Sequence, residues 1–329
     1  MTKPFLSIIK PSSFRTLLQS QPQSQSPPQS SSTLEHRTIP IDATWFMPNS
    51  PRNAEQEYQT ERIPHARFFN LDKYSRDSPY PHMLPTQQIA KQAFQDLSIR
   101  PSDNLVIYDK IGNFSSPRAA FTFKLFGHQR VYLLDNYLNY KACDYPLDLN
   151  PVNFKLSSSD AEENEYPLPS AHEFEETYDR EVIEYEELCN LVEDNCIGDY
   201  LILDARSKER FTGEASEPRP GLSSGHIPTA RNLPFTKFLN PEQNNQFRSK
   251  EEIETILKDV VEINDINELT TKYPGGIIVM CGTGVTACIL KLALDNVLKL
   301  HDVVNVRLYD GSWTEWAMRA PKELIVKDV

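Results

Sequence analysis

An internal repeat constrains the fold of this chain more than any other feature of its sequence. Four segments in the second half resemble four segments in the first half, and they occur in the same order. The matched pairs are residues 201–206 with 39–44, 225–230 with 62–66, 278–281 with 106–109, and 306–311 with 131–136. A repeat of this length is typical of a duplicated domain, so both halves are predicted to share one architecture.

Each half alternates strand-like and helix-like segments. In the first half, residues 39–43, 105–109 and 130–135 are predicted strands, and residues 63–69 are predicted to form a turn that leads into another strand. Residues 86–97 and 116–126 are predicted helices, and Thr86 is the expected N-cap of the first. Alternating β and α segments favour a mainly parallel sheet with helices on both faces. The sequence therefore predicts an α/β protein built from two such domains.

Changes in composition along the chain predict its domain boundaries. Residues 1–36 contain a polar Gln, Ser and Pro run and are predicted to form a disordered extension. Folded domains are predicted at 37–142 and 180–329, joined by a proline-rich and acidic linker at 143–179. The extension lacks acidic residues before Glu35, as transit peptides do, but Pro4 and Pro11 would interrupt an amphipathic helix. Cytoplasmic and mitochondrial locations both stay open.

Composition excludes several classes of function. A length of 329 residues suits two domains, and a formal net charge of −12 argues against direct contact with nucleic acid. The sequence also lacks the long apolar run of a membrane span. The five cysteines form no Cys-x-x-Cys pair, so we expect neither a metal site nor a disulfide framework, and a reducing compartment fits better. No cofactor is expected.

Cys281 occupies a position that suits chemistry. Residues 277–280 are predicted to form a buried strand, and residues 287–300 carry apolar side chains at helical spacing. Gly282 and Gly284 lie between them, so the cysteine is expected on a tight loop at the carboxyl end of a strand. Backbone N–H groups at a helix start stabilise an anion there, which favours a nucleophilic thiolate. A buried structural cysteine is the alternative that this geometry leaves open.

The register of the repeat places Asp109 of the first half where the second half has Cys281. A carboxylate cannot act as a sulfur nucleophile. We therefore predict one active half and one degenerate half.

Three motifs resemble those of the tandem-domain rhodanese family of sulfurtransferases. Residues 281–287 (CGTGVTA) are similar to the active-site loop of 3-mercaptopyruvate sulfurtransferases. Residues 309–316 and 225–228 resemble the C-terminal and N-terminal family motifs. The pattern is especially similar to fungal sulfurtransferases that serve tRNA wobble-uridine thiolation. The resemblance implies two rhodanese-like domains, a degenerate one at 37–142 and a catalytic one at 180–329.

The resemblance also implies a reaction. The Cys281 thiolate would take a sulfur atom from 3-mercaptopyruvate or thiosulfate, become a persulfide, and pass the sulfur to an acceptor thiol or cyanide. The loop is uncharged, which favours a monocarboxylate donor over the thiosulfate dianion. Arg210 and Arg219 match the family's substrate-binding arginines, and an Arg fork binds a carboxylate with two hydrogen bonds. The residues of the loop that would bind substrate are Gly282, Gly284, Val285 and Thr286.

The family further supplies an Asp–His–Ser relay. Asp72 and His82 match its first two members, and Thr283 stands where the serine would be. A threonine hydroxyl can form the same hydrogen bond, although its methyl group restricts the rotamer. Pro81 before His82 departs from the family pattern. The alternative is therefore that His82 is only an interface histidine without a catalytic role.

Other functions also have to be weighed. The main alternative is a protein-to-protein persulfide relay, in which Cys281 accepts sulfur from a cysteine desulfurase and hands it to a carrier-activating enzyme of tRNA thiolation. Cys-dependent phosphatases of similar architecture need an arginine six residues after the cysteine, and this chain has Ala287 there. A purely structural tandem domain would not need one loop kept intact beside a degenerate one.

Overall fold

The computed structural model describes residues 5–19, 36–152 and 166–329, and it contains two compact units. Unit 1 comprises Met1–Tyr74 and Pro85–Ser170, and unit 2 comprises Ser75–Leu84 and Ala171–Val329. Within the described ranges no helix is both long and apolar enough to cross a membrane.

Unit 1 alternates strands and helices as predicted. Its strands are β1 (Phe5–Ile9), β2 (Thr38–Asp42), β3 (Arg67–Phe68), β4 (Asn104–Tyr108) and β5 (Arg130–Leu134). Its helices are α1 (Pro11–Gln19), α2 (Ala54–Thr60), α3 (Gln87–Asp96), α4 (Ser116–Leu125) and α5 (Tyr137–Ala142). The side chain of Thr86 accepts the N–H of Ile89, which confirms it as the N-cap of α3.

Unit 2 repeats this alternation. Its strands are β6 (Val182–Ile183), β7 (Tyr200–Asp204), β8 (Arg231–Asn232), β9 (Leu239–Asn240), β10 (Gln246–Phe247), β11 (Gly276–Met280) and β12 (Val306–Tyr309). Its α-helices are α6 (Ala171–Glu181), α7 (Tyr185–Glu193), α8 (Lys208–Thr212), α9 (Lys250–Val261), α10 (Glu268–Lys272), α11 (Ala287–Leu292) and α12 (Ser312–Arg319). Short 3-10 turns span Ile197–Asp199, Phe235–Phe238, Pro241–Gln243, Leu300–Asp302 and Lys322–Leu324.

Both units are built on a five-stranded sheet whose paired strands all run parallel. The strand order is β1-β5-β4-β2-β3 in unit 1 and β6-β12-β11-β7-β8 in unit 2. Every residue of the central strands β4 and β11 is buried. Because neighbouring side chains of a strand point to opposite faces, both faces of each sheet are covered. The duplicated α/β architecture predicted from the repeat is therefore confirmed.

The predicted disordered extension is wrong for its first part. Phe5–Ile9 forms β1, which pairs in parallel with β5, and Pro11–Gln19 forms α1. The pair β1–α1 corresponds to β6–α7 of unit 2, which also joins an edge strand to a nine-residue helix. Residues 20–35 of the predicted extension lie outside the described residues. The repeat thus begins some thirty residues earlier than the sequence pattern indicated.

Phe14 fixes this N-terminal helix to the core of unit 1. Its side chain is 0% exposed and packs with Tyr140 at a ring-centroid distance of 5.6 Å. We expect Phe14→Ala to lower the free energy of unfolding by about 3 kcal/mol, because it leaves a large cavity. Urea unfolding would measure this change. Ser13→Ala, at an exposed position on the same helix, should change stability by less than about 0.5 kcal/mol, and equal effects of both substitutions would contradict the packing role of Phe14.

Two other predicted segments differ from the structure. Helix α6 (Ala171–Glu181) occupies the last part of the predicted linker and continues into the predicted second domain, while residues 153–165 of that linker lie outside the described residues. The helix predicted at 287–300 is α-helical only to Leu292 and continues as a π-helical turn at Ala293–Val297. Apolar spacing did not predict that interruption, because a single π turn leaves most of the helical pattern unchanged.

Candidate active site

Cys281 lies directly after the central strand β11, at the start of the loop that leads into α11. The preceding residue, Met280, pairs with Asp204 of β7, and Cys281 is itself 2% exposed. Gly284 has a φ of +75°, a left-handed conformation that glycine adopts without steric cost. The predicted arrangement of strand, tight loop and helix around the cysteine is therefore confirmed.

The first residues of α12 hold the backbone of this loop. The N–H of Cys281 donates to Ser312 Oγ at 3.1 Å, and the N–H of Trp313 donates to the carbonyl of Cys281 at 3.0 Å. The carbonyl of Gly282 accepts from both the N–H and the hydroxyl of Thr314, at 3.0 and 2.8 Å. The position of the thiol is thus set by hydrogen bonds between the main chain of its loop and the first residues of α12.

The corresponding loop of unit 1 wraps around a carboxylate. Asp109 is 1% exposed, and its two oxygens accept five backbone N–H groups at 2.8 to 3.0 Å and one hydroxyl at 2.6 Å. The N–H donors belong to Ile111, Gly112, Phe114, Ser115 and Ser116, and the hydroxyl to Ser116. In unit 1 this loop is an anion-binding nest that its own aspartate fills.

The sheet registers place Asp109 and Cys281 at equivalent positions. Asp109 follows Tyr108, which pairs with the last residue of β2, and Cys281 follows Met280, which pairs with the last residue of β7. Helix α4 begins seven residues after Asp109, and α11 begins six residues after Cys281. The same kind of loop therefore carries a carboxylate in one unit and a thiol in the other, as the repeat predicted.

Arg210 lies beside the Cys281 loop. Its Nη2 atom is 3.1 Å from the position that a Cβ on Gly282 would occupy, so a side chain at 282 would press against the guanidinium. The Arg210 side chain is 24% exposed and open to a ligand. Arg219, the second predicted substrate arginine, is half-buried on the chain segment that follows α8.

Sequence reasoning missed Arg206, the most deeply buried cation of this region. Its side chain is 0% exposed and forms ion pairs with Asp204 at 2.5 Å and Glu217 at 2.8 Å. Its Cζ atom also lies 4.2 Å from the centre of the Trp313 ring. The spacing Asp-x-Arg at the end of a strand could have predicted this ion pair, because a buried aspartate is stabilised by a charged partner.

Unit 1 lacks this arginine at the equivalent place. Asp42 corresponds to Asp204 by register, and the residue two positions on is Thr44 in place of an arginine. The hydroxyl and N–H of Thr44 donate to Asp42 at 2.5 and 3.0 Å, and burial raises the pKa of Asp42 to about 6. Unit 1 therefore differs from unit 2 both at the cysteine and at the residue that binds this buried aspartate, and its nearest cation to Asp42 among the described ion pairs is the buried Lys110, at 4.0 Å.

The other predicted loop residues form the turn into α11. Thr283 and Val285 are buried, at 7% and 3% exposure, and Thr286 is half-buried. The carbonyl of Val285 accepts the N–H of Cys288 at 3.2 Å, and that of Thr286 accepts the N–H of Ile289 at 3.1 Å. The main chain of these residues thus starts the helix that follows the Cys281 loop.

The predicted relay residues are divided between the units. Asp72 belongs to unit 1, where its carboxylate accepts the indole N–H of Trp45 at 3.1 Å. His82 and Thr283 belong to unit 2, and His82 is 7% exposed with a φ of +64°. The relay itself stays a prediction.

Asp310 contacts the segment that carries His82. Its Oδ2 atom accepts the N–H of Leu84 at 2.8 Å, so this aspartate holds the end of Ser75–Leu84 within unit 2. Trp313 and Trp316 are both 0% exposed in the core of the unit. The indole N–H groups donate to the carbonyls of Ser223 and Leu324.

These features define an α/β protein of two duplicated units, one of which carries a buried cysteine on the tight loop after its central strand, and known proteins resemble it over most of its length. The model of the rhodanese-like domain matches residues 52–139 and 184–319. The thiosulfate sulfurtransferase TUM1 of Saccharomyces cerevisiae is 40% identical over 300 residues, covering 89% of this chain and 92% of that protein. The mitochondrial thiosulfate/3-mercaptopyruvate sulfurtransferase 1 of Arabidopsis thaliana is 36% identical over 286 residues, covering 84% and 71%.

A solved structure agrees with these sequence matches. The crystal structure of the Saccharomyces cerevisiae Tum1 protein superposes with a TM-score of 0.81 at 35% identity, covering 99% of each chain. The chain belongs to the rhodanese family, and it is a sulfurtransferase.

Proposed function

We propose that the chain moves sulfane sulfur from 3-mercaptopyruvate, or from thiosulfate, through a persulfide on Cys281 to an acceptor thiol or cyanide. The observation that carries this proposal is the nest around Asp109, whose five N–H groups bind an anion at the position equivalent to Cys281. A loop of the same kind around Cys281 would stabilise a thiolate and then a persulfide anion, as an oxyanion hole stabilises its anion.

The reaction has two steps. The Cys281 thiolate attacks the donor's sulfur atom, the carbon–sulfur bond of 3-mercaptopyruvate breaks, and its electron pair leaves as the enolate of pyruvate, which takes up a proton. Cys281 then carries a persulfide. An acceptor thiolate or cyanide attacks the outer sulfur, the S–S bond breaks, and the Cys281 thiolate returns. The donor and the acceptor never need to be bound together, so ping-pong kinetics are expected.

The donor's carboxylate would bind Arg210 and Arg219. Arg210 beside Gly282 supports this role, because a guanidinium offers paired N–H groups to two oxygens at once. The backbone of Gly282, Gly284, Val285 and Thr286 would line the site of the transferred sulfur. Since residues 282–286 carry no charge, a monocarboxylate donor is favoured over the thiosulfate dianion.

The relay of Asp72, His82 and Thr283 would move the proton that this chemistry requires. The burial of Thr283 next to the nucleophile supports its membership. Thr283→Val keeps the shape of the side chain and removes the hydroxyl, so it should lower kcat by at least about tenfold if the relay operates. Unchanged kcat in this variant would remove Thr283 from the mechanism.

Thiocyanate formation with each donor tests the main proposal. We expect kcat/KM for 3-mercaptopyruvate to exceed that for thiosulfate by at least about tenfold, because the arginines and the uncharged loop suit a monocarboxylate. Arg210→Met should raise KM for 3-mercaptopyruvate by about tenfold or more. Lys208→Met, at an exposed cation on the same helix, is the matched control and should leave KM unchanged. A preference for thiosulfate that Arg210→Met does not alter would contradict the proposal.

A protein-to-protein relay is the second candidate, and the charge of the chain favours it. A net charge of −12 suits contact with proteins rather than with tRNA itself. In this role a cysteine desulfurase would load Cys281, and a carrier-activating enzyme of the wobble-uridine thiolation pathway would accept the sulfur. Incubation with a desulfurase and cysteine, followed by mass measurement of the Cys281 peptide, tests the idea. No added sulfur on Cys281 would exclude it.

We also propose a cytoplasmic or mitochondrial location, or both. A mitochondrial relative and an N-terminal region without acidic residues before Glu35 support the second site. Because β1 and α1 form part of unit 1, the test should use the full chain with a fluorescent protein at its C-terminus. Signal confined to the cytosol would exclude the mitochondrial location.

A further inference from the structure

Glu217 is a buried carboxylate shared by two arginines of the candidate site. Its side chain is 3% exposed, and Oε1 accepts Nη1 of Arg206 at 2.8 Å and Nε of Arg210 at 3.1 Å. Its other oxygen, Oε2, accepts Nη2 of Arg210 at 2.5 Å. Glu217 therefore accepts two hydrogen bonds from Arg210 and is itself bound by Arg206.

The two hydrogen bonds to Glu217 use only one edge of the Arg210 guanidinium. A guanidinium carries five N–H donors, and Glu217 uses the edge formed by Nε and Nη2. The edge formed by Nη1 and the second N–H of Nη2 is a further two-pronged donor of the kind that matches a carboxylate. Because Nη2 lies 3.1 Å from the Cβ position of Gly282, this group stands beside the nucleophile loop.

Arg206, which binds Glu217, also contacts the helix that holds the Cys281 loop. Arg206 is fully buried, binds Asp204 through Nε and Nη2, and donates to the carbonyl of Gly225 at 2.6 Å. Its guanidinium also lies over the ring of Trp313, and the backbone N–H of Trp313 donates to the carbonyl of Cys281. The carboxylate of Glu217 is thus fixed with respect to the same helix that fixes the loop.

We infer that Glu217 is a positioning residue that orients Arg210 so that its open edge receives the carboxylate of an α-keto acid sulfur donor. This inference rests on the proposed function. The two carboxylates of Asp204 and Glu217 cancel the two positive charges of Arg206 and Arg210. The net charge of these four side chains therefore attracts an anion only weakly. Recognition of the donor then depends on the direction of the Arg210 hydrogen bonds, which Glu217 sets.

The test is Glu217→Gln, assayed with 3-mercaptopyruvate and cyanide. Both oxygens of Glu217 accept from Arg210, so a glutamine of the same shape presents its NH₂ group to Arg210 in either orientation and removes one of the two hydrogen bonds. We expect KM for 3-mercaptopyruvate to rise about tenfold, equivalent to about 1.4 kcal/mol, while kcat changes by less than about threefold. Glu214→Gln, at an exposed position of the same segment, should change neither constant.

A donor without a carboxylate separates positioning from a general structural role. Inorganic polysulfide should load Cys281 with sulfur equally well in wild type and in Glu217→Gln, as measured by the mass of the Cys281 peptide. Slower polysulfide loading in the variant, or an unchanged or lower KM for 3-mercaptopyruvate, would overturn the inference while leaving the proposed function intact. No turnover of 3-mercaptopyruvate by the wild type would overturn both.

Discussion

Replacing Cys281 with serine is expected to lower the rate of sulfur transfer to cyanide by at least about 10³-fold with either donor, because the variant has no sulfur atom on which to carry the transferred one. The backbone contacts that place residue 281 come from α12 and involve only its main chain, so the loop should keep its form in the variant. Steady-state thiocyanate formation measures the loss, and circular dichroism checks the fold.

A second buried cysteine of unit 2 offers the matched control. Cys189 lies in α7 and is 7% exposed, but it is not at the end of a sheet strand. Cys189→Ala should transfer sulfur at the wild-type rate and still gain one sulfur atom on Cys281 when incubated with the donor. Activity that survives Cys281→Ser but is lost in Cys189→Ala would show that the nucleophile has been misplaced.

Replacing Asp109 with alanine is expected to lower the free energy of unfolding of unit 1 by about 4 kcal/mol. The substitution leaves five N–H groups and one hydroxyl without their carboxylate, and a buried polar group that loses its partner costs about 1–3 kcal/mol, reduced where water enters. Urea unfolding with a probe in unit 1 would measure the change. Glu55→Ala, which removes an exposed carboxylate of the same unit, should cost less than about 0.5 kcal/mol.

The vacated nest provides an independent check of its chemistry. Formate is a carboxylate small enough to replace the missing group, so it should restore part of the lost stability of Asp109→Ala in a concentration-dependent manner. It should not stabilise the wild type, whose own aspartate fills the nest. A variant as stable as the wild type, or one that formate does not stabilise, would mean that the loop does not bind anions. The main support for a persulfide on Cys281 would then be lost.

The structure also changes how the two halves of the repeat compare. The sequence indicated an aspartate in unit 1 where unit 2 has Cys281, and the structure adds that Asp109 fills the anion-binding nest of its own loop. The structure also shows that Arg206, which the repeat matches with Thr44, is fully buried in unit 2. Two separate differences, Asp109 at the position of Cys281 and Thr44 at the position of Arg206, therefore distinguish unit 1 from unit 2.

The sequence by itself determined the features that depend on neighbouring residues. The apolar run before Cys281, the glycines after it and the helical spacing beyond correctly predicted the strand, the loop and the start of the helix. The repeat predicted the equivalence of Asp109 and Cys281, because a duplicated domain keeps its register along the whole sheet.

Only the tertiary structure decided the features that depend on distant partners. Phe5–Ile9 is followed by a polar Gln, Ser and Pro run that indicated disorder, and only its pairing with β5, across more than a hundred residues, identifies it as a strand of unit 1. Glu217 could be any surface glutamate until the fold brings Arg206 and Arg210 to it. Strand pairing and buried ion pairs form between segments far apart in the chain, and periodicity within a short window carries no information about them.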